Sequence, residues 1–471
     1  VSSNSAISRP IGFVDRRITP DRRTSPRFRA IFAVKLTGSA PSKEISTVLG
    51  ESVNLSRSGA CLRLEKELMH PSTAILSIKF PLLGDFETRT KMLWSKKGKE
   101  YMSYGVHFLD LRKDFPSILN KALSKYTSLD GKLIPLVNSM RHFLQDIKNK
   151  FDEFDRAFPP GQKQINFIEE NKKEIYKKLD NYFSKIWNIA MKCGEEAYSV
   201  NRSYFQQMLH PLVEEIVEIN RHIYRKPLGY AGDYVVMNYI YDYHKGRYLG
   251  SSSYEMLINN YTCNVPISRS NVARKEFFKR KILETINTKD NARIMSVGCG
   301  PLRELMELLK EGMITKPFLF KCVDFEIGAI DYVKKELEEI EQERRHFLSI
   351  EYFHQNIINV IKNKGLKQKI KGQDLIYCSG VIDYLRDKIA ERLVRELFQL
   401  LRNKGVLIVC NAALKGSSHR AYYQMLGEWN MIHRTKAEMS DWVKGIRDAQ
   451  EINFEEPPEC DKYLFLEVKK L

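Results

Sequence analysis

The residues best suited to do chemistry lie in one stretch, ARIMSVGCGPLRE at positions 292–304. In it an apolar run leads into Gly298, Cys299 and Gly300, and a helix-forming segment follows from Leu302. Glycines let the backbone adopt positive φ and approach a ligand closely, while the first turn of a helix presents unpaired N–H groups. The stretch therefore predicts a strand, a tight turn and a helix that hold a nucleotide-like cofactor. A purely structural turn explains the glycine pair by itself equally well.

The residues that follow favour the cofactor site. A predicted strand, Phe318–Val323, ends at Asp324, 24 residues after Gly300. A carboxylate at the end of the second strand can accept hydrogen bonds from both hydroxyls of a ribose. Dinucleotide-binding turns carry a third glycine, and this chain has Arg303 at that position. We therefore expect S-adenosyl-L-methionine, and not a nicotinamide dinucleotide, as the cofactor.

The segments that must position these residues alternate between strand and helix. Strands are predicted at 294–297, 318–323, 351–354, 374–378, 405–410 and 463–468. Helices are predicted between them, and Thr435 with Glu438 forms a capping box at the start of a later helix. Such alternation is typical of a doubly wound, mostly parallel α/β sheet, which binds its ligands at the carboxyl ends of the strands.

Three motifs carry a resemblance to a known family. They are Ser296–Pro301 with Glu304, the run GYAGDY at 229–234, and the run SGVIDYL at 379–385. Over roughly residues 130–471 the chain resembles the class I S-adenosylmethionine-dependent methyltransferases. Among them it looks most like the bacterial family whose namesake makes 3-hydroxypalmitic acid methyl ester. The resemblance implies a seven-stranded sheet with an antiparallel edge, and it suggests the carboxyl group of a 3-hydroxy fatty acid as the methyl acceptor.

The resemblance also implies roles for single residues. The glycine turn would approach the methionine part of the cofactor, Asp324 would hold the ribose, and Asn356 would bond the adenine amino group unless it only caps a helix. Ser379 and Gly380 would face the sulfonium and the substrate. The full set of expected cofactor contacts is Gly298, Cys299, Gly300, Pro301, Glu304, Asp324, Phe325, Asn356, Ser379 and Gly380.

The acceptor pocket is expected beside the same cavity. We predict that Tyr230, Asp233, Asp383 and Tyr384 line it, because their motifs flank the expected cofactor position. A carboxylate acceptor is already nucleophilic, whereas a hydroxyl or amine would need a general base such as one of these side chains or His433. The Tyr- and Gly-rich segment 227–281 has no clean period, which is typical of a pocket cover or of an irregular connection.

A second set of polar residues lies near the N-terminus. Short β-type segments separated by turns predict a small antiparallel barrel between about residues 30 and 108. The pattern of Arg22, Arg23 and Arg27, then Asn54, Ser56, Ser58 and Gly59, then GVHF at 105–108, resembles the PilZ domain. That resemblance implies binding of cyclic di-GMP, whose guanines and phosphates an arginine fork can hold. Gly59 is expected to permit positive φ in a turn.

Between the barrel and the α/β segment, three apolar stripes at helical spacing predict a helical bundle, through which a homodimer could form. The predicted domains are a basic arm at 1–20, the PilZ-like barrel at 21–112, the helical bundle at 113–225 and the methyltransferase domain at 226–471.

Composition restricts the remaining possibilities. The formal net charge of +18 favours an anionic partner, but no aromatic-interleaved basic groove predicts a stable nucleic-acid complex. No apolar run reaches the ~20 residues of a membrane-spanning helix, so the cytoplasm is expected. The eight cysteines lack metal-site spacing, so no metal is expected. The chain is thus predicted to be a cyclic di-GMP-responsive methyltransferase acting on a small molecule. The alternative is a non-enzymatic cyclic di-GMP effector that uses the methyltransferase fold as a binding platform.

Overall fold

The computed structural model describes residues 30–39, 45–68, 73–80, 83–98, 101–414 and 419–471. Their contacts form two compact units. The first comprises the described residues up to Phe151 together with Lys177–Ile216, and the second comprises Asp152–Tyr176 and Val217–Leu471. The predicted domain boundaries at 112 and 225 stay predictions. Within the described ranges, every helix is too short or too polar to cross a membrane.

The first unit contains six antiparallel strands. They are β1 (Ala33–Ser39), β2 (Ile45–Leu55), β3 (Gly59–Leu64), β4 (Thr73–Phe80), β5 (Gly84–Lys97) and β6 (Met102–Phe108). They close into a barrel in the order β1-β2-β3-β6-β5-β4. Side chains alternate between the two faces of a strand, and inward ones such as Leu62, Leu76 and Val106 are buried. The predicted antiparallel barrel is confirmed.

Strand β2 is the element of the barrel that sequence analysis missed. Its apolar alternation is interrupted by Gly50, Glu51 and Ser52, all of which are buried. A Cβ at Gly50 would lie 2.3 Å from a carbonyl oxygen of β3, so the close approach of the strands requires glycine. The Ser52 hydroxyl accepts from the N–H of Phe32 at 2.9 Å. Polar residues that find partners in a core are stable there, and in the sequence they obscure the strand.

Five helices follow the barrel. They are α1 (Phe115–Thr127), α2 (Leu133–Ala157), α3 (Gln162–Ala190), α4 (Glu195–Leu209) and α5 (Glu218–Arg225). At the start of α1, Phe115 packs against Phe86 and Phe108 of the barrel, with ring centroids 4.3 and 5.5 Å away. The predicted stripe of α2 is buried at Val137, Met140, Leu144, Ile147 and Phe151. The predicted helical region is confirmed.

The second unit is built on a seven-stranded sheet. Its strands are β7 (Ala292–Val297), β8 (Phe318–Asp324), β9 (Leu348–His354), β10 (Gln373–Cys378), β11 (Leu401–Ala412), β12 (Ala449–Glu455) and β13 (Tyr463–Lys470). Their order is β12-β13-β11-β10-β7-β8-β9. Strand β13 runs antiparallel to both β11 and β12, and the other pairs are parallel. The predicted mostly parallel seven-stranded sheet with an antiparallel edge is confirmed.

Ten further helices of the described residues follow α5 in this unit. They are α6 (Tyr234–Tyr243), α7 (Ser253–Asn264), α8 (Pro266–Thr288), α9 (Arg303–Lys310), α10 (Ile327–Glu338), α11 (Gln342–Arg345), α12 (Ile357–Lys362), α13 (Lys364–Ile370), α14 (Asp387–Gln399) and α15 (Lys436–Asp441). Helices α6, α7 and much of α8 occupy the segment that has no clean period in the sequence. Helix α7 is buried on nearly every side, and a helix without a solvent face shows no amphipathic stripe. The predicted capping box of Thr435 and Glu438 is confirmed.

Candidate functional site

The parallel strands end at a common cavity of about 390 Å³, lined by residues at or just after the carboxyl ends of β7, β8, β9 and β10. Small-molecule sites typically measure about 300–1,000 Å³. All ten residues predicted to contact a cofactor line this cavity: Gly298, Cys299, Gly300, Pro301, Glu304, Asp324, Phe325, Asn356, Ser379 and Gly380. The sheet topology therefore brings together residues that span more than eighty positions of the chain.

The glycine turn forms one wall. Gly298 and Gly300 have φ of +69° and +51°, in the left-handed region that favours glycine. The N–H of Gly298 donates to the carbonyl of Val323 at 2.8 Å, which holds the turn against β8. A Cβ at Gly298 would lie 2.2 Å from Cγ2 of Val381, whereas the space beside Gly300 is open. The turn thus packs tightly at its first glycine and leaves room for a ligand at the third residue.

Asp324 connects the end of β8 to this turn. One carboxylate oxygen accepts from the N–H of Gly300 at 2.9 Å, and the other accepts from the N–H of Glu326 at 2.9 Å. Burial raises the pKa of Asp324, and the backbone hydrogen bonds oppose that rise. Because each carboxylate oxygen has a second lone pair, the group can still accept from hydroxyls of a ligand in the cavity.

Two further predicted contacts have a second structural task. Glu304, in the first turn of α9, accepts from the Tyr377 hydroxyl at 2.7 Å, and burial raises the pKa of its carboxyl group. The Asn356 side chain caps α12 by accepting from the N–H of Asn359 at 3.0 Å. The alternative foreseen for Asn356, a helix cap, is therefore present at a residue that also lines the cavity.

Tyr230 and Tyr384 meet at the side of the cavity where the acceptor pocket is predicted. The Tyr230 ring lies 5.4 Å from that of Phe325 and 6.2 Å from that of Tyr384, measured between centroids. The Tyr384 hydroxyl accepts from Nε1 of Trp429 at 2.7 Å. Burial raises the pKa of both phenols well above the ordinary range, so both are neutral hydrogen-bonding groups at physiological pH.

Asp233 and Asp383 lie elsewhere than predicted, because neither side chain lines the cavity. One oxygen of Asp233 caps α6 by accepting from the N–H groups of Val235 and Val236, and the other lies 2.7 Å from Nε2 of His222. Asp383 is buried and accepts from a backbone N–H of β11. Local donors therefore occupy both carboxylates. A part for either in turnover stays a prediction.

Arg274 of α8 and Tyr241 of α6 are among the polar residues of the cavity that sequence analysis missed. Neither belongs to a motif, and both precede the glycine turn. Their helices reach the cavity only through the tertiary packing, so no spacing rule in the sequence indicates them.

The predicted polar cluster of the barrel lies at the turn between β2 and β3. The N–H and hydroxyl of Ser56 donate to the Gly59 carbonyl at 2.9 and 3.1 Å, and the N–H of Ser58 lies 3.4 Å from the Ser56 hydroxyl. Asn54 stands at the end of β2. Gly59 does not have the positive φ that was expected. Glycine is required there because a Cβ would lie 2.3 Å from the Val106 carbonyl oxygen.

The arginines predicted to complete this cluster, Arg22, Arg23 and Arg27, lie outside the described residues, as does the predicted arm at 1–20. Residues 21–124 match the family model of the PilZ domain. The barrel is a PilZ domain. The match includes all six strands of the barrel, most of α1 and the positions of the three arginines. The matched residues end within α1.

Several solved structures are similar to part of the chain. A possible exported protein from Bordetella parapertussis is 15% identical, with a TM-score of 0.41, over 50% of this chain and 79% of that one. The N-methyltransferase NodS from Bradyrhizobium japonicum is 12% identical, with a TM-score of 0.30, over 43% of this chain and 87% of that one. Magnesium protoporphyrin IX methyltransferase from Synechocystis is 12% identical, with a TM-score of 0.32, over 44% of this chain and 86% of that one. No curated protein sequence matches the chain.

Proposed function

We propose that the chain is an S-adenosylmethionine-dependent methyltransferase that acts on a small molecule and responds to cyclic di-GMP. The observation that carries the proposal is the arrangement of the glycine turn and Asp324 at one cavity, with the Asp324 carboxylate bonded to the N–H of Gly300. The Asp324 carboxylate, a hydrogen-bond acceptor, and an open stretch of backbone thus lie at the carboxyl ends of parallel strands, where such folds bind ligands.

The residues of the cavity suit the proposed cofactor. The open space beside Gly300 admits the methionine part, Asp324 has lone pairs for the ribose, and the Asn356 carbonyl oxygen can accept a second bond from the adenine amino group. S-adenosylmethionine supplies an electrophilic methyl group on a sulfonium. The chain's own residues bind it, orient the acceptor and exclude water, which are the main protein contributions to such a displacement.

A carboxylate acceptor fits this cavity best. Among the described residues that line it, none is a lysine or histidine. Its two carboxylates, Asp324 and Glu304, already accept hydrogen bonds from Gly300 and Tyr377. Burial keeps the phenols of Tyr230 and Tyr384 protonated by raising their pKa. A hydroxyl or amine acceptor would need a general base, whereas a carboxylate is nucleophilic without one. We therefore propose O-methylation of a carboxyl group, with a 3-hydroxy fatty acid as the first acceptor to test.

The test is methyl transfer from isotopically labelled cofactor to 3-hydroxyhexadecanoic acid, followed by mass spectrometry of the extracted lipid, with and without cyclic di-GMP. We expect a methyl ester whose rate of formation changes when cyclic di-GMP is present at saturation. Methylation at an unchanged rate would contradict the regulation alone. A cofactor that binds without methylating any compound of a bacterial lipid extract would contradict the proposed acceptor class.

The competing proposal is a non-enzymatic cyclic di-GMP effector that uses this fold as a binding platform. Calorimetric titration with S-adenosylmethionine separates the two, because a degenerate site would release no heat. The open turn at Gly300 and the buried, hydrogen-bonded Asp324 favour an intact site.

Asp324→Asn is expected to weaken cofactor binding about 10- to 100-fold. Asparagine has one oxygen, so its amide nitrogen would face either the Gly300 or the Glu326 N–H that the carboxylate now satisfies. Calorimetry measures the change, and Asp331→Asn is the matched control, since Asp331 is an exposed carboxylate on α10. Equal affinities in wild type and Asp324→Asn would contradict the assignment.

The same residue predicts a pH dependence. Because burial raises the pKa of Asp324, its carboxyl group takes up a proton at a higher pH than an ordinary aspartate. The ionised form accepts the ligand's hydroxyls, so wild-type affinity should fall as the pH is lowered through this raised pKa. Asp324→Asn should lack that dependence, and an identical pH profile for the two proteins would contradict the prediction.

Arg23→Ala is expected to weaken cyclic di-GMP binding by about 10-fold or more, because a charged, bidentate contact to the nucleotide is lost. Arg9→Ala removes the same charge from the N-terminal segment outside the motif and serves as the control. Titration of both variants with cyclic di-GMP measures the difference. Equal weakening in both would indicate a general charge effect in place of a specific site.

A further inference from the structure

Arg274 is the one arginine among the described residues that line the cavity. Arg274 is only 6% exposed. It forms no ion pair with any carboxylate of the described residues. The carboxylates of Asp383 and Glu304 interact with its charge only over a longer range. A buried guanidinium without a carboxylate in direct contact is costly, so an anionic group of a molecule in the cavity would stabilise it.

Aromatic side chains hold the guanidinium in place. Its central carbon lies 4.6 Å from the centroid of the Tyr463 ring, which is a cation–π contact. Burial raises the pKa of Tyr241 to about 12, and the charge of Arg274 and a side-chain hydrogen bond with it oppose that rise. These contacts fix the plane of the guanidinium without neutralising it, as a pre-organised binding group requires.

Gly380 lies beside the terminal nitrogens of Arg274. A Cβ at Gly380 would lie 3.4 Å from Nη2 and 3.5 Å from Nη1 of Arg274. The absence of a side chain at Gly380, which has φ of +76°, therefore leaves space beside both terminal nitrogens at the part of the cavity that follows β10. Two parallel N–H groups of a guanidinium match the two oxygens of a carboxylate.

We propose that Arg274 binds a carboxylate of a small molecule held in this cavity. The inference rests on the proposed function, which supplies two molecules with that chemistry. One is the cofactor, through the carboxylate of its methionine part, and the other is the acceptor, through its acid group. Binding by Arg274 orients the molecule that bears the carboxylate, and it makes Arg274 a specificity determinant that no sequence motif reveals.

The test uses the full chain and paired probes that differ in the carboxylate. S-adenosylhomocysteine is compared with 5′-methylthioadenosine, which lacks the amino-acid part. 3-Hydroxyhexadecanoic acid is compared with its methyl ester. The proteins are wild type, Arg274→Met, Arg274→Lys and the control Arg280→Met, in which an exposed arginine of the same helix is replaced. Calorimetry gives each Kd, and circular dichroism verifies the fold.

Arg274→Met is expected to raise the Kd of one carboxylate-bearing probe about 10- to 100-fold while changing that of its carboxylate-free partner less than about 3-fold. The pair that responds identifies the source of the carboxylate. Arg274→Lys keeps the charge but loses the fork, so it should give a smaller loss, and it carries the test if Arg274→Met does not fold. Arg280→Met should match wild type.

Equal effects on both members of each pair, or none on any probe, would overturn the role of Arg274 while leaving the proposed function standing. If wild type binds neither the cofactor product nor the fatty acid, the proposed function fails and the carboxylate assignment fails with it. The two failures are thus distinguished by the wild-type titrations.

Discussion

Gly298→Ala should nearly abolish cofactor binding, with an increase in Kd of about 100-fold or more, equivalent to about 2.8 kcal/mol. Alanine at this residue would have to keep φ at +69°, which costs about 1–2 kcal/mol for an L-residue. Its Cβ would also lie 2.2 Å from Cγ2 of Val381. The turn or the loop after β10 must then move, and both line the cavity.

The control for Gly298→Ala is Gly312→Ala. Gly312 has nearly the same φ, +67°, but no heavy atom lies within 4 Å of its ideal Cβ. It therefore reproduces the backbone strain without the overlap. We expect Gly312→Ala to bind the cofactor as wild type does. The double variant Gly298→Ala/Val381→Ala removes Cγ2 and should recover part of the affinity, because contacting residues do not contribute additively.

Calorimetric titration with S-adenosylhomocysteine measures all of these variants. Binding of Gly298→Ala within about 3-fold of wild type, or the same loss in Gly312→Ala, would show that the overlap with Val381 does not govern the site. Failure of the double variant to recover would place the effect in the backbone strain of Gly298 alone.

Arg141→Met should destabilise the first unit by about 3–5 kcal/mol, the usual cost of removing one partner from a buried ion pair. Arg141, on α2, is 4% exposed and lies between two carboxylates of the barrel. Its guanidinium binds Glu65 directly and is 3.8 Å from Glu51, which is also buried. Without it, the buried Glu51 retains Arg63 at 2.8 Å, and the largely buried Glu65 retains only the charges of Lys66 and Lys148, which act on it without a direct ion pair.

The loss of stability in Arg141→Met should depend on pH. Burial already raises the pKa of Glu65, and the charge of Arg141 opposes that rise. Without Arg141 the pKa in the folded state rises further above that of the unfolded chain. The Arg141→Met variant therefore keeps its stability below the pKa that Glu65 has in the unfolded chain. It loses stability as the pH rises through the higher pKa of Glu65 in the folded state. The difference between Arg141→Met and wild type should therefore be small in acid and grow toward neutral pH.

Hydrogen exchange of the barrel amides in the full chain measures this stability, because it reports local unfolding within a multi-unit protein. Arg156→Met is the matched control, since Arg156 is exposed on the same helix. Replacing Glu65 by glutamine in the Arg141→Met background should restore part of the protection. Equal protection in Arg141→Met and Arg156→Met would show that the buried cluster contributes no net stability.

The two halves of the candidate site differ in how well they could be predicted. Gly298, Gly300 and Asp324 follow from spacing, because a strand, a turn and a second strand impose their own separations along the chain. The predicted lining of the cavity by Ser379 and Gly380 rests on the same logic, since the ends of neighbouring parallel strands share one edge of the sheet. In contrast, Asp233 and Asp383 lie in the predicted motifs but are occupied by backbone donors.

The fold shows the same division. The alternating strands and helices predicted the sheet, while β2 was hidden by Gly50, Glu51 and Ser52. Whether such residues interrupt a strand or lie buried within it depends on partners that are distant in sequence, here the backbone of β3 and the N–H of Phe32. Helix α7 was hidden for a related reason, because it is buried on nearly every side and has no periodic polar face.

By itself, the sequence determined the glycine turn, the acid after the second strand and the order of elements, since each depends on the conformational preferences of a few neighbouring residues. The tertiary structure alone decided that Arg274 reaches the cavity without a carboxylate in direct contact, and that Arg141 lies buried between two carboxylates. Burial and counter-charge are properties of the packed chain, because the groups that exclude water from a side chain and those that pair with it come from distant segments.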